Sequence, residues 1–130
     1  MKKTKRLLVA IIVIASTFFI LKGCQVYSKY SRPPKITVIN NSKLELKDVT
    51  LLGAGFTKKI GNLDPQGSLS TEVQPRGESG LKISFTAKSE NYQKDDLAYI
   101  ESTGGYIVQI TIDESLNIKS ECSMASLKFK

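Results

Sequence analysis

The chain contains no histidine, and of its 130 residues only two are cysteine and four are proline. The missing imidazole removes Ser-His and Cys-His nucleophile pairs, the commonest general base, and nearly all zinc sites. No Ser-x-x-Lys stands at a helix start, so a Ser–Lys mechanism has no foothold. Helical periodicity is also scarce. Beyond residue 35 no stretch of ten residues carries it, whereas period-two alternation recurs. Clustered basic residues interleaved with aromatics, the footprint of a nucleic-acid binder, are missing from the folded part. No enzyme, no cofactor and no nucleic-acid partner are expected.

The formal charge of +7 is concentrated at one end. Lys2, Lys3, Lys5, Arg6 and Lys22 belong to the first 23 residues. From Cys24 onward 14 Lys/Arg face 12 Asp/Glu, a net +2. The lysines of the folded part are dispersed along alternating strand faces. Its charge is therefore no argument for a polyanionic partner.

Lys2 to Arg6 precede Leu7 to Leu21, an uncharged run with only Ser16 and Thr17 as polar members. That is the basic and apolar sequence of an export signal. Fifteen helical residues cover only about 22 Å of a roughly 30 Å hydrocarbon core. Continuing to Tyr27 gives a full span if Lys22 snorkels its ammonium to the interface. Tyr27 and Tyr30 would then lie at head-group depth, and the basic N-terminus would stay in the cytoplasm. An N-terminal signal or transmembrane anchor is expected over residues 1–27, and a Pro-containing linker over residues 28–35, where Arg32-Pro33-Pro34 favours extended chain.

Leu21-Lys22-Gly23-Cys24 resembles the lipobox of bacterial lipoproteins. Leu21, Gly23 and Cys24 occupy matching places, and Lys22 departs from the uncharged residue usual there. The resemblance implies Cys24 as a lipidation site. Uncleaved anchor and lipidated Cys24 both stay open, and both tie the domain to a membrane.

Residues 36–122 read as an all-β fold, an antiparallel β-sandwich of immunoglobulin-like type with about seven or eight short strands. Leu81 to Lys88 alternates with Leu81, Ile83, Phe85 and Ala87 on one face. Tyr106 to Asp113 places Tyr106, Val108, Ile110 and Ile112 together. Ile36 to Asn40 is short and β-branched. Ser68 to Pro75 points Leu69 and Val73 inward, and a last strand places Leu116, Ile118 and Cys122 inward. Leu44 to Leu52 changes phase by one residue, which predicts a bulge near Lys47-Asp48 or two strands split there. Phe56 to Ile60 and Leu97 to Glu101 complete the set.

Turn signals separate the strands. Asn40-Asn41-Ser42 can supply a positive φ. Asp64-Pro65-Gln66-Gly67 reads as a type I turn, and Ser102 to Gly105 as a hairpin between Tyr99 and Tyr106. Asp113-Glu114-Ser115 leads into the last strand. The tail, Ser123 to Lys130, alternates weakly through Ala125, Leu127 and Phe129, which leaves an edge strand and a loose end both open.

Arg76 is the only arginine past the linker, between Pro75 and Gly77, with Glu78 and Ser79 following. Two readings stand for it: a polar binding loop on a rigid scaffold, or a structural salt link to Glu78 or Glu101. Tyr99 and Tyr106 flank the glycine turn, either as a contact surface or as a cross-strand pair. The candidate binding set is therefore Arg76, Glu78, Ser79, Tyr99, Glu101 and Tyr106. Asp95-Asp96 and Asp113-Glu114 lack a third nearby carboxylate for calcium and read as solvated turn residues. Cys122 is expected to be a free thiol within the core, out of reach of Cys24.

Pro75-Arg76-Gly77-Glu78-Ser79-Gly80-Leu81, with Tyr99-Ile100-Glu101 and Gly104-Gly105-Tyr106, is similar to a pattern in small, uncharacterised membrane-anchored proteins of the bacterial envelope. That resemblance implies an extracytoplasmic β-domain and carries no activity. The functional expectation is a membrane-anchored module facing the periplasm or cell exterior. It would bind an envelope protein as an accessory or immunity-type subunit, or else a small ligand such as a sugar or lipid fragment.

Overall fold

The computed structural model describes residues 2–124. One helix, α1 (Lys2–Tyr30), is followed by ten strands. The helix is exposed along its whole apolar run, and the 23 residues Lys3–Gln25 are long and apolar enough to cross a membrane. A signal sequence meets the same criterion. Ser16 and Thr17 do not break it, because both hydroxyls donate back to the Val13 carbonyl, at 2.9 and 2.8 Å. The helix continues into the stretch expected to be linker, and only Ser31 to Pro34 separate it from the first strand.

Two four-stranded sheets follow. The first has the order β10 (Ile118–Ser123), β9 (Ile107–Ile112), β1 (Lys35–Asn40), β4 (Ser68–Glu72). The second has the order β3 (Phe56–Leu63), β2 (Leu46–Gly53), β6 (Lys82–Ala87), β7 (Glu90–Lys94). A two-stranded ribbon pairs β5 (Glu78–Gly80) with β8 (Tyr99–Glu101). The chain is thus a small, mostly β domain behind one apolar helix, and its sheets are compatible with a sandwich.

The alternating strands bury the faces their sequences predict. Ile36 and Val38 of β1, Val108, Ile110 and Ile112 of β9, and Ile83, Phe85 and Ala87 of β6 join one core cluster with Leu46, Val49 and Leu51 of β2. Burying each of the larger side chains among these, the Ile, Val, Leu and Phe, contributes roughly 1.5–3 kcal/mol. The phase change in β2 is a bulge. The register shifts between Leu46 and Val49, and Asp48 takes a φ of 51°. One extra residue there lets Leu46 and Val49 both point inward.

Several expectations are corrected. The fold is not purely antiparallel, because β1 and β9 run parallel, with Lys35 opposite Ile107 and Asn40 opposite Ile112. Ser102 to Gly105 does not make a hairpin, since β8 pairs with β5 and β9 with β1 and β10. Positive φ at Gly104 and Gly105 turns the chain instead from the ribbon into the first sheet. The Asp64–Gly67 turn closes with a 2.9 Å bond from the Gly67 amide to the Asp64 carbonyl. Gln66 in its third position has a φ of 60°, which makes it type II rather than type I.

At Asn40–Ser42 no residue takes a positive φ. The buried Asn40 side chain shapes that corner, donating to the carbonyls of Leu44, Leu63 and Asp64 at 2.7, 3.2 and 3.0 Å. Its Oδ1 accepts from the amide and hydroxyl of Ser42.

Two residues expected inside lie open. Cys122 is exposed, and Leu69 is 39% exposed. Both sit on edge strands of the first sheet, and Leu69 stands opposite the buried Val38, so its orientation is inward while its cover is incomplete. Short β5 and β7 add to the expected strands. Ser123 closes β10, and residues 125–130 of the tail lie outside the described ones.

Candidate functional site

The six candidate residues gather at one end of the domain, the end where the helix joins it. Three backbone bonds define that end. The Gly105 amide donates to the Arg32 carbonyl at 3.3 Å, the Val73 amide to the Pro34 carbonyl at 3.1 Å, and the Lys35 amide to the Tyr106 carbonyl at 2.9 Å. Segments 73–80 and 99–106 therefore flank the junction. Pro34 and Pro75 are buried within it.

Arg76 and Ser79 hold the β2–β3 turn. The Arg76 amide donates to the Ala54 carbonyl at 2.8 Å. Its aliphatic stem lies so close over Gly55 that a Cβ there would fall 2.4 Å from the Arg76 Cγ. The Ser79 hydroxyl is buried. It accepts from the Ala54 amide at 2.7 Å and donates to the Gly80 carbonyl at 3.1 Å. Gly53 makes room for it, since a Cβ would meet the Ser79 Oγ at 2.6 Å. Ser79 thus fastens the turn.

The expected salt link of Arg76 to Glu78 or Glu101 does not form. Among the described residues the ion pair is Lys82–Asp95 at 3.6 Å, between half-exposed side chains. Such a surface pair contributes little. The Arg76 guanidinium remains exposed.

Glu78 and Glu101 stand directly opposite each other in the ribbon. Like charges so placed repel. The Tyr99 hydroxyl donates to Glu101 Oε1 at 2.8 Å. That bond, foremost, together with desolvation and the nearby Glu78, holds the phenol protonated far above its usual range. A phenolate would face two carboxylates. Tyr106 lies buried and edge-on to Tyr99, with ring centroids 6.4 Å apart and planes at 71°. Burial raises its pKa, with smaller contributions from Glu101, Cys122 and Glu78. The two tyrosines do touch, with Tyr99 in the ribbon and Tyr106 just before β9 rather than across a hairpin.

A second feature lies outside the expected binding set. A surface depression of about 410 Å³ on the second sheet is lined by Asp48, Ser84, Thr86, Asn91 and Gln93, with the stacked rings of Phe85 and Tyr92 alongside. The phase change at Lys47-Asp48 is its signal in the sequence, because the bulge turns Asp48 towards it. The acid pairs are turn residues: Asp95 accepts from Gln93 and pairs with Lys82, and Asp113 accepts from the amides of Ser115 and Asn117. No group of three or more His, Cys, Asp or Glu placed to hold a metal occurs among the described residues. Cys24 is exposed on the helix, far along the chain from Cys122.

No family model and no curated protein matches the chain. Among solved structures it is similar to the NMR structure of a protein from Eubacterium rectale. The two are 15% identical, the match covers 73% of this chain and 92% of that one, and the TM-score is 0.49.

Proposed function

We propose that the chain is a membrane-tethered β-sandwich module of the bacterial envelope, held by an uncleaved helix and facing the periplasm or cell exterior. There it binds another envelope protein, as an accessory or immunity-type subunit. The observation that carries the reading is the junction. A helix long enough to span a bilayer passes into the domain through four residues, two of whose carbonyls are bonded to the domain itself. A domain so held works at the membrane surface. Four basic residues before the apolar run favour a cytoplasmic N-terminus and hence an external domain. The hydroxyls of Ser79 and Tyr99 are engaged in holding structure, which supports a binding role over catalysis.

Cross-linking in intact cells, followed by purification from solubilised membranes, tests the proposal. One stoichiometric envelope protein should accompany the chain. Recovery of the membrane-bound chain alone would count against it. The depression beside Asp48 favours a second reading, a small polar ligand such as a sugar. It predicts a rise in Tm with the matching saccharide that Asn91→Ala abolishes.

A further inference from the structure

The junction fixes how far the domain can stand from the bilayer. The Ser31 amide still donates to the Tyr27 carbonyl at 3.0 Å, so the helical rise persists to Ser31. From Gln25, the last residue of the apolar span, that is six rises of about 1.5 Å. Arg32 is already bonded to Gly105, so at most one extended step of about 3.6 Å remains. The Arg32 backbone, where the domain is bonded to the junction, therefore lies no more than about 13 Å beyond the span, against a head-group layer of roughly 5–8 Å on each side. Long side chains close the difference.

The side chains there suit that depth. Ile107, first residue of β9, is 52% exposed, Tyr99 is 49% exposed and Met124 is 53% exposed. Arg76 presents a guanidinium that no carboxylate of the described chain engages. Lys35 lies beside Ile107 on the neighbouring strand. Apolar groups, a phenol and long cations together form the set that partitions into the interface. Glu72, Glu78 and Glu101 share this end and would oppose a densely anionic surface.

We infer that the helix-proximal end of the domain is a lipid-contacting surface, seated on zwitterionic phospholipid head groups with Arg76 and Lys35 toward the phosphates and Ile107 and Tyr99 among the outer head groups. The inference rests on the helix being a membrane anchor. It adds that the domain lies on the bilayer and presents its far end, around Glu114, to the surroundings.

The chain has no tryptophan, so single reporters are clean. Phe18→Trp, Ile107→Trp and Glu114→Trp would each be placed in the full chain in phosphatidylcholine vesicles. Quenchers would be acyl-chain-brominated and head-group spin-labelled phosphatidylcholine. The six-residue β9 separates Ile107 from the Glu114 turn by about 20 Å. The reporter at 107 should lose most of its emission to the head-group label, while that at 114 keeps its own. The reporter at 18 should be quenched by bromine. Quenching at 18 with none at 107, or equal quenching at 107 and 114, overturns the lipid-contacting surface and leaves the anchor standing. No quenching at 18 overturns the anchor and the inference with it.

Discussion

The amide of Gly105 reaches back to the carbonyl of Arg32, two residues beyond the end of the helix, at 3.3 Å. That bond turns a stretch with the composition of a free spacer into part of the domain. With the helix anchored in a bilayer as proposed, any partner would meet the protein within a domain's height of that bilayer.

Asn40 is the most consequential polar residue of the core. Its side chain satisfies three carbonyls and two groups of Ser42 at the corner where β1, β2 and the Asp64 turn meet. Asn40→Ala leaves buried partners without hydrogen bonds and should cost about 2–4 kcal/mol. Urea unfolding of the detergent-solubilised chain, followed by circular dichroism, would show the lower midpoint.

Gln66 holds a left-handed conformation that costs roughly 1 kcal/mol relative to glycine. Its Nε2 offsets this by donating to the carbonyls of Asn41 and Ser42 at 3.0 and 3.1 Å. Gln66→Ala keeps the strain and loses both bonds, whereas Gln66→Gly loses the bonds and the strain together. The alanine variant should therefore be the less stable of the two by about 1 kcal/mol. Thermal unfolding of the pair side by side would measure the order.

Two titrations should be visible in stability. Hydrogen bonds from Asn117 and Ser115 hold the Asp113 carboxyl below its ordinary value of 3.8. A depressed folded value stabilises the fold above about pH 4, and the benefit is lost as pH falls through that folded value. Asp113→Asn should flatten the acid limb of the stability curve. Tyr99 has the opposite sign. Its raised folded value gives stability that is complete below about pH 10 and is lost as pH climbs toward the folded value. Tyr99→Phe should reduce the alkaline loss. Urea midpoints across both limbs would test each.

The strands with clean alternation, β6 and β9, are readable in the sequence because each buries one face fully. The bulge at Asp48 is readable because a strand that keeps one face buried can change phase by one residue only by taking in an extra residue. The parallel β1–β9 pair is not, since pairing partners distant in sequence leave no local mark. Cys122 and Leu69 depart from expectation for a shared reason. Alternation gives orientation, and cover depends on whether the strand is central or at an edge. The candidate residues come from two glycine-rich segments that the fold does bring together, yet their roles are not legible in the sequence. Ser79 and the stem of Arg76 serve the β2–β3 turn, a contact between chain segments about 25 residues apart.

Lys22 bears on whether the helix stays uncleaved, as proposed, or is processed at the lipobox-like Leu21-Lys22-Gly23-Cys24. Its ammonium lies over the Phe18 ring at 5.6 Å, and it stands where a lipobox carries an uncharged residue. Intact-mass measurement should find the unprocessed chain. Lys22→Ala, which completes the lipobox, should shift the product to an acylated chain starting at Cys24.

Cys122 gives the most direct test of an anchored domain outside the cytoplasm. Its thiol is exposed beyond the helix, and partial burial raises its pKa, so alkylation should quicken as pH rises. With Cys24→Ser as background, a maleimide that cannot cross membranes would be added to spheroplasts with an intact inner membrane. Labelling of Cys122 before any permeabilisation, in a product that sediments with membranes, is the predicted result. Labelling only after lysis, or recovery of the chain in the soluble cytosolic fraction, would contradict the account.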